Sequence, residues 1–323
     1  MLTQKIKNWT IEIEEYLNTL KDETSIDLKK SQLLEDKIHA IFPLLQKIDE
    51  QYNAPDLTKD LKSIQSKFWE HTSFFNESYF FNRGRVWPQG YPGDYITLES
   101  IYKGMPVIEK GIGMYLDKYF LTRALARGVR ERKIFLAEYI KKELASRESE
   151  QSILNIACGS SREIFDIGAS INQYKPEMTF LDYDEDAVNY SRLLLHNANV
   201  DISNFSFIKF NALKLASLEF AQSKFEKKDV IYSAGLFDYI KTDTLIKMIN
   251  SLFNLLNDGG VLIAPFKDKE NYQIQDYHWL VNWSFFFQRT IDDVRALLEE
   301  ATGTTVEIIK SGSPAINFFI IRK

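Results

Sequence analysis

A single cysteine, Cys158, among 323 residues excludes an internal disulfide, and the four histidines, His39, His71, His196 and His278, are too scattered to suggest a metal site. No apolar run approaches the ~20 residues of a membrane-spanning helix, which argues against stable membrane insertion. Met1 to Leu20 is interrupted by Lys5, Lys7, Glu12, Glu14 and Glu15, so it does not have the form of a signal peptide, and a cytoplasmic location is expected. Excess positive charge is lacking too. The formal net charge of -5 offers no general attraction to a phosphate backbone, and no nucleic-acid partner is expected. Internal repeats and low-complexity segments are absent, and no G-x-G-x-x-G run marks a dinucleotide site.

What is present is an ordinary globular composition, 45% hydrophobic and 26% charged, in a chain long enough for two structural regions. In the first, apolar residues recur three and four apart over Trp9 to Leu20, Leu33 to Ile48 and Asp56 to Glu70, the period of amphipathic helices. Phe74 to Gly104 is dense in aromatics, glycine and proline and reads as a structured connection. A further helix is expected from about Gly113 to Ala145, carrying Arg123, Arg127, Arg130 and Arg132. The polar stretch Ser146 to Gln151 then sets the boundary between a helical region, 1–145, and a second domain, 146–323.

The second domain alternates between the two periods. Strands are expected at Ile153 to Ala157, Met178 to Leu181, Phe205 to Phe210, Asp229 to Ser233, Val261 to Pro265, Val306 to Lys310 and Phe318 to Ile321. Helical patterns at Arg162 to Ile171, Glu185 to Ala198, Thr242 to Leu256 and Thr290 to Ala301 separate the earlier ones. Such alternation predicts an α/β doubly wound, mostly parallel sheet. The last two strands have only the turn-rich Ser311 to Pro314 between them, so an antiparallel terminal pair is expected. Asn257 to Gly260 reads as a structural turn.

Chemistry in an open α/β sheet gathers at the carboxyl ends of its strands. The first strand runs into Ala157-Cys158-Gly159 and a helix starting near Arg162, where small residues and a helix N-terminus suit the carboxylate and amino groups of a methionine moiety. The second ends in Asp182-Tyr183-Asp184, with Asp182 placed to hold a ribose diol and Asp184 to cap the next helix. Asn211 and Ala212 follow the third strand, where Asn211 either meets an adenine edge or simply forms a turn. After the fourth, Ser233, Gly235 and Leu236 would adjoin the cofactor, Phe237 and Tyr239 would wall a substrate, and Asp238 would touch either ligand.

Taken together, ILNIACGSSRE, FLDYDEDAV, DVIYSAGLFDYI and LLNDGGVLIAPF resemble the successive motifs of class I S-adenosylmethionine-dependent methyltransferases, over roughly Gln151 to Lys323. GYPGDYITLESIY, ALARGVRER, YSAGLFDYI and WLVNWSFFFQRT, within about Arg83 to Arg289, are similar to the bacterial extracellular factor 3-hydroxypalmitic acid methyl ester biosynthesis methyltransferases. Departures are Ser160 and Ser161, where further Gly or Pro is usual, and Pro92, where Ala is common.

The resemblance implies a Rossmann-like domain, S-adenosyl-L-methionine as cofactor, and methylation of an oxygen of a small or lipid-like acid. A carboxylate acceptor needs no general base; a hydroxyl or amine would, and Asp238, His278 or Tyr91 would then serve. On this reading the loop within about 83–104 covers the substrate through Tyr91, Asp94 and Tyr95, with Arg127 or Arg130 holding an anionic group. Asp94 paired with an arginine as a purely structural clamp is the alternative. Trp283 and Arg289 complete the candidate substrate contacts; an aromatic such as Trp283 is more often core than ligand wall, and Arg289 is either structural or a carboxylate anchor. A methyltransferase-like module that senses the cofactor without turnover, or a methyltransferase for another metabolite or a protein, are the competing functions.

Overall fold

The computed structural model describes residues 2–52, 58–146, 150–283, 286–310 and 312–323. The chain separates into two compact units, Met1–Ala126 with Gln273–Ser284, and Arg127–Tyr272 with Phe285–Lys323. The division thus falls nearer residue 126 than 145, and a short segment from late in the chain belongs with the helices.

The first unit contains α1 (Leu2–Asn18), α2 (Leu28–His39), α3 (Phe42–Tyr52), α4 (Thr58–His71), α5 (Tyr79–Val86), α6 (Tyr95–Lys103) and α7 (Gly111–Thr122). On α1, Ile6, Trp9, Ile13 and Leu17 form the buried stripe that a 3.6-residue period requires. The expected single helix from 33 to 48 is two helices. Pro43 has no N–H to donate one turn back, so α2 ends at His39 and the chain restarts as α3. The expected long helix from Gly113 is also broken, at Arg123, whose backbone is extended (φ -66°, ψ 151°). Its Nε donates to Tyr119 O and its fork binds Glu35, closing the C-terminus of α7 before α8 (Ala124–Ala145) begins. The start of the Asp56 helix and the middle of the 146–151 boundary lie outside the described residues.

The second unit is a seven-stranded sheet: β1 (Ser152–Ile156), β2 (Glu177–Asp182), β3 (Phe205–Lys209), β4 (Lys228–Tyr232), β5 (Leu256–Lys267), β6 (Glu307–Lys310) and β7 (Ile316–Arg322), in the order β3-β2-β1-β4-β5-β7-β6. β7 runs antiparallel to both β5 and β6, so it alone is reversed. The expected terminal hairpin is therefore present, folded back so that β7 lies inside the sheet and β6 at its edge. Asn257 to Gly260 is not a separate turn: it forms the irregular start of β5, where the register with β4 shifts and Gly259 has φ +76°.

Helices cover both faces. Leu154, Ile156, Leu181, Ile231, Leu262, Ala264, Phe319 and Ile321 pack in one core with α13 (Thr242–Asn254) and α15 (Ile291–Thr302). The alternate residues face the other way, where Phe318 stacks on Phe135 of α8 at 3.6 Å. The expected helix over 162–171 is divided into α9 (Arg162–Asp166) and α10 (Gly168–Tyr174); α11 (Glu185–Asn197) matches its expected span, and α12 (Leu218–Lys224) and α14 (Gln275–His278) have no counterpart in the sequence reading. Among the described residues no helix is long and apolar enough to cross a membrane, and no group of His, Cys, Asp and Glu is arranged to hold a metal.

Candidate active site

Strand order reverses between β1 and β4, the place where an open parallel sheet leaves a crevice at its carboxyl edge. The loop leaving β1 is unusual in its backbone. Ala157, Gly159 and Ser161 all take positive φ, at 54°, 55° and 51°. Two are not glycine, so the loop carries local strain of the kind that clusters at functional sites. Its anchors are visible: Cys158 N donates to Leu181 O at 2.9 Å, Gly159 N to Asp182 Oδ2 at 2.8 Å, and the buried Ser161 accepts a bond from Ser191 Oγ at 2.7 Å. The serine found in place of glycine is thus tied to α11. A Cβ added at Gly159 would meet nothing within 4 Å, so the space beside this loop is open. Burial pushes the Cys158 thiol up and keeps it protonated, which suits packing and not nucleophilic attack. A helix begins at Arg162 as expected, but α9 is only five residues long, and the Arg162 guanidinium lies over Phe165 at 4.6 Å.

Asp182 stands at the tip of β2, directly beside that loop. Its two oxygens accept from Gly159 N and from Asp184 N (2.9 Å), which leaves each with unused acceptor capacity. Burial raises its pKa and these backbone donors oppose the shift. Tyr183 is exposed, and Asp184 caps α11 through Asp186 N. Asn211 accepts from Leu213 N at 3.0 Å, capping the short turn Ala212–Ala216. Its carbonyl oxygen is therefore engaged as a turn-former.

Above β4, Ser233 is buried and accepts from Leu236 N at 3.3 Å. Gly235 lies against Arg132 of α8, whose Nη1 would be 2.9 Å from an added Cβ. Arg132 in turn faces Glu163, a buried carboxylate taken by Asn155 Nδ2 (3.0 Å) and Tyr232 Oη (2.8 Å). Two expected ligand contacts are corrected here. Phe237 is wholly buried, stacked on Phe266 at 5.9 Å, and so packs in the core and walls no substrate. Asp238, also buried, is held by Lys267 Nζ at 2.7 Å and by Lys267 N at 3.2 Å, so its carboxylate is not available as a base. Lys267 lies over the rings of Tyr239 (4.8 Å) and Phe286 (4.7 Å). Arg289 ties off the same loop by donating to Ile240 O at 2.7 Å. Arg127 is exposed; burial and the neighbouring Arg127 lower the pKa of Arg130.

The remaining candidates belong to the helical unit. Asp94 caps α6 through Ile96 N and Thr97 N (both 3.0 Å) and binds Arg83 at 2.7 Å, with Thr97 Oγ1 donating to its second oxygen. That carboxylate is committed inside the unit, to Arg83 and not to Arg127 or Arg130. Tyr91 and Tyr95 flank it and are half-buried. Gly93, at φ +73°, exists because Trp283 lies on it: a Cβ would be 2.4 Å from the indole. Trp283 is accordingly a packing residue. His278 is half-buried, and desolvation lowers its pKa to about 4, so its imidazole is neutral at pH 7.

A doubly wound sheet with one reversed strand beside its edge, and a strained loop open at its switch point, defines the methyltransferase fold. The chain belongs to the family whose model is described as "Putative methyltransferase", which matches residues 90–270, more than half of its length. Among solved structures it is similar to a protein of Bordetella parapertussis described as a possible exported protein, with 14% identity, 100% of this chain and 97% of that one covered, and a TM-score of 0.58. It is also similar to magnesium protoporphyrin IX methyltransferase of Synechocystis, determined with bound SAH, at 14% identity, 62% and 87% coverage and a TM-score of 0.47. No curated protein matches the chain.

Proposed function

We propose that this protein transfers a methyl group from S-adenosyl-L-methionine to a carboxylate oxygen of a small or lipid-like acid. One observation carries the cofactor assignment: Asp182, at the tip of β2, lies 2.8 Å from the backbone N–H of Gly159, at the end of the adjacent β1. Spare acceptor positions on Asp182 suit a ribose diol, and the open space at Gly159 suits the thioether end of the same molecule. When bound, the cofactor supplies an electrophilic methyl on a sulfonium. The chain's task is then to align an acceptor oxygen with it and exclude water.

The acceptor class is supported by what the site withholds. Asp238 is tied to Lys267, and His278 belongs to the helical unit with a pKa of about 4, so neither suits deprotonation of a hydroxyl. A carboxylate is already ionised at neutral pH and needs no such help. Likeness to the hydroxy-fatty-acid methyl ester group in GYPGDYITLESIY and YSAGLFDYI agrees with this class.

Calorimetry with S-adenosylmethionine and S-adenosylhomocysteine tests the first half. Asp182→Ala is expected to weaken both by about 10- to 100-fold, the loss of one or two charge-assisted hydrogen bonds. Undiminished affinity in that variant refutes the ribose assignment. Transfer of labelled methyl to a series of 3-hydroxy fatty acids tests the second half, and no ester formed with any acid removes the carboxylate reading.

A further inference from the structure

Arg132 is 5% exposed, and its Nε, sealed from solvent, has no hydrogen-bond partner. Other enclosed arginines do find acceptors: Arg123 forks onto Glu35, the half-buried Arg85 donates to Leu280 O and Thr72 O, and Arg289 donates through Nη2 to Ile240 O, although its Nη1 has no partner. Arg132 instead lays its guanidinium along Gly235, with Nη1, Cζ and Nη2 at 2.9, 3.3 and 3.3 Å from where a Cβ would stand. Glu163, which interacts with it electrostatically, is not in salt-bridge contact, and Asn155 and Tyr232 already occupy that carboxylate. A buried cation without an acceptor is costly. Such a group is kept where an anionic ligand completes it.

Resting on the methyltransferase reading above, we propose that Arg132 is the carboxylate anchor of the cofactor site, binding the α-carboxylate at the amino-acid end of S-adenosylmethionine. A planar guanidinium fork matches a carboxylate in two parallel hydrogen bonds. Position selects which carboxylate. Gly235 follows β4, whose Tyr232 is level with Asn155 of β1, so it flanks the switch point together with Gly159. Chemistry selects the same one: two hydrogen bonds from arginine draw charge from the oxygens, which suits a carboxylate that must not react better than one that must attack a methyl group.

Binding of S-adenosylhomocysteine and of 5′-methylthioadenosine, which shares the adenosine and thioether but has no carboxylate, separates the possibilities. In Arg132→Met the homocysteine compound is expected to bind about 30- to 100-fold more weakly, while the methylthio compound stays within about twofold of wild type. Arg132→Lys keeps the charge without the fork and is expected to lose about 5- to 10-fold for the first ligand alone. Its ratio of the two affinities decides the matter if the methionine variant fails to fold. Equal losses for both ligands indicate a structural role and overturn the proposal. Unchanged binding of the homocysteine compound, with a raised KM for the acid, assigns Arg132 to the acceptor and overturns it as well. Failure of the wild-type protein to bind either ligand is a different result, which removes the methyltransferase reading before any variant is compared.

Discussion

Lys267 is the last residue of β5, where the run VLIAPFK leaves the apolar sheet, and in the sequence it looks like the polar end of a strand. Folding makes it something else. Its ammonium and the carboxylate of Asp238 are both nearly excluded from water, 8% and 3% exposed, and form a 2.7 Å pair framed by two aromatic faces. Removing one member strands the other, so Asp238→Asn is expected to destabilise by about 3–5 kcal/mol, whereas replacing both in Asp238→Leu/Lys267→Met costs far less than the sum. Denaturant midpoints of the two single variants and the double variant measure the coupling; strictly additive losses would mean that the pair contributes nothing as a pair. At this scale the placement of Gly159 and Asp182 beside each other was legible, because it follows from strand-loop-helix order. Lys267 and Arg132 were not legible as partners of Asp238 and Gly235, because those pairings are 29 and 103 positions apart and arise only when β4, β5 and α8 come together.

Elements were read well where periods differ and poorly where a break leaves the period intact. Strands with a two-residue alternation stood out from helices, and all seven appear at the expected places to within a few residues at their ends. The interruption at Arg123 was hidden, since apolar spacing on either side stays compatible with one helix and only a side chain reaching back to Tyr119 O ends it. Gln273–Ser284 was hidden in another way: its aromatics read as packing residues, but nothing local says that they pack with the helices and not with the sheet. Two carboxylates hold it there, the buried Asp276 accepting from Tyr119 Oη at 2.5 Å and the half-buried Asp49 accepting from Trp279 Nε1 at 3.0 Å. Burial raises the pKa of each to about 6. Asp276 in the folded chain therefore holds its proton more tightly than in the unfolded chain, so its contribution to stability falls as pH rises from about 4 to about 6 and is level above that. Asp276→Asn retains an acceptor for Tyr119 and cannot ionise. Relative to wild type the variant should gain about 2–3 kcal/mol between pH 4 and pH 7.5. His278 shifts the opposite way, but it and Asp49 are common to both proteins and cancel in the difference. A stability gap that stays constant with pH would show that Asp276 does not titrate in this range.

For the whole molecule, the chain passes between its two units three times, and the helical unit is complete only when a segment more than 140 residues downstream has returned to it. No local signal announces this, because a domain boundary is legible in sequence only where composition changes, and 273–284 is as apolar as the strand before it. The packing shows what the return supplies. Trp279, Leu280 and Val281 are wholly buried; Trp279 meets Phe68 edge-on at 5.5 Å, Leu280 O accepts from Arg85 Nε, Asn282 N donates to Gly84 O, and Val281 fills the space left by Gly84. Without the segment, Asp49 and Arg85 lose hydrogen-bond partners and the aromatic core around Phe68 opens to water. Losing Trp279 alone is expected to cost about 3–5 kcal/mol, a large part of a domain's typical margin of about 5–15 kcal/mol. A fragment of residues 1–126 should therefore keep helical circular dichroism but melt without a cooperative transition and bind a hydrophobic dye, and a peptide of residues 273–284 added in excess should restore the transition. Cooperative melting of the fragment by itself, with native-like aromatic dichroism, would show that the helices do not need the returning segment.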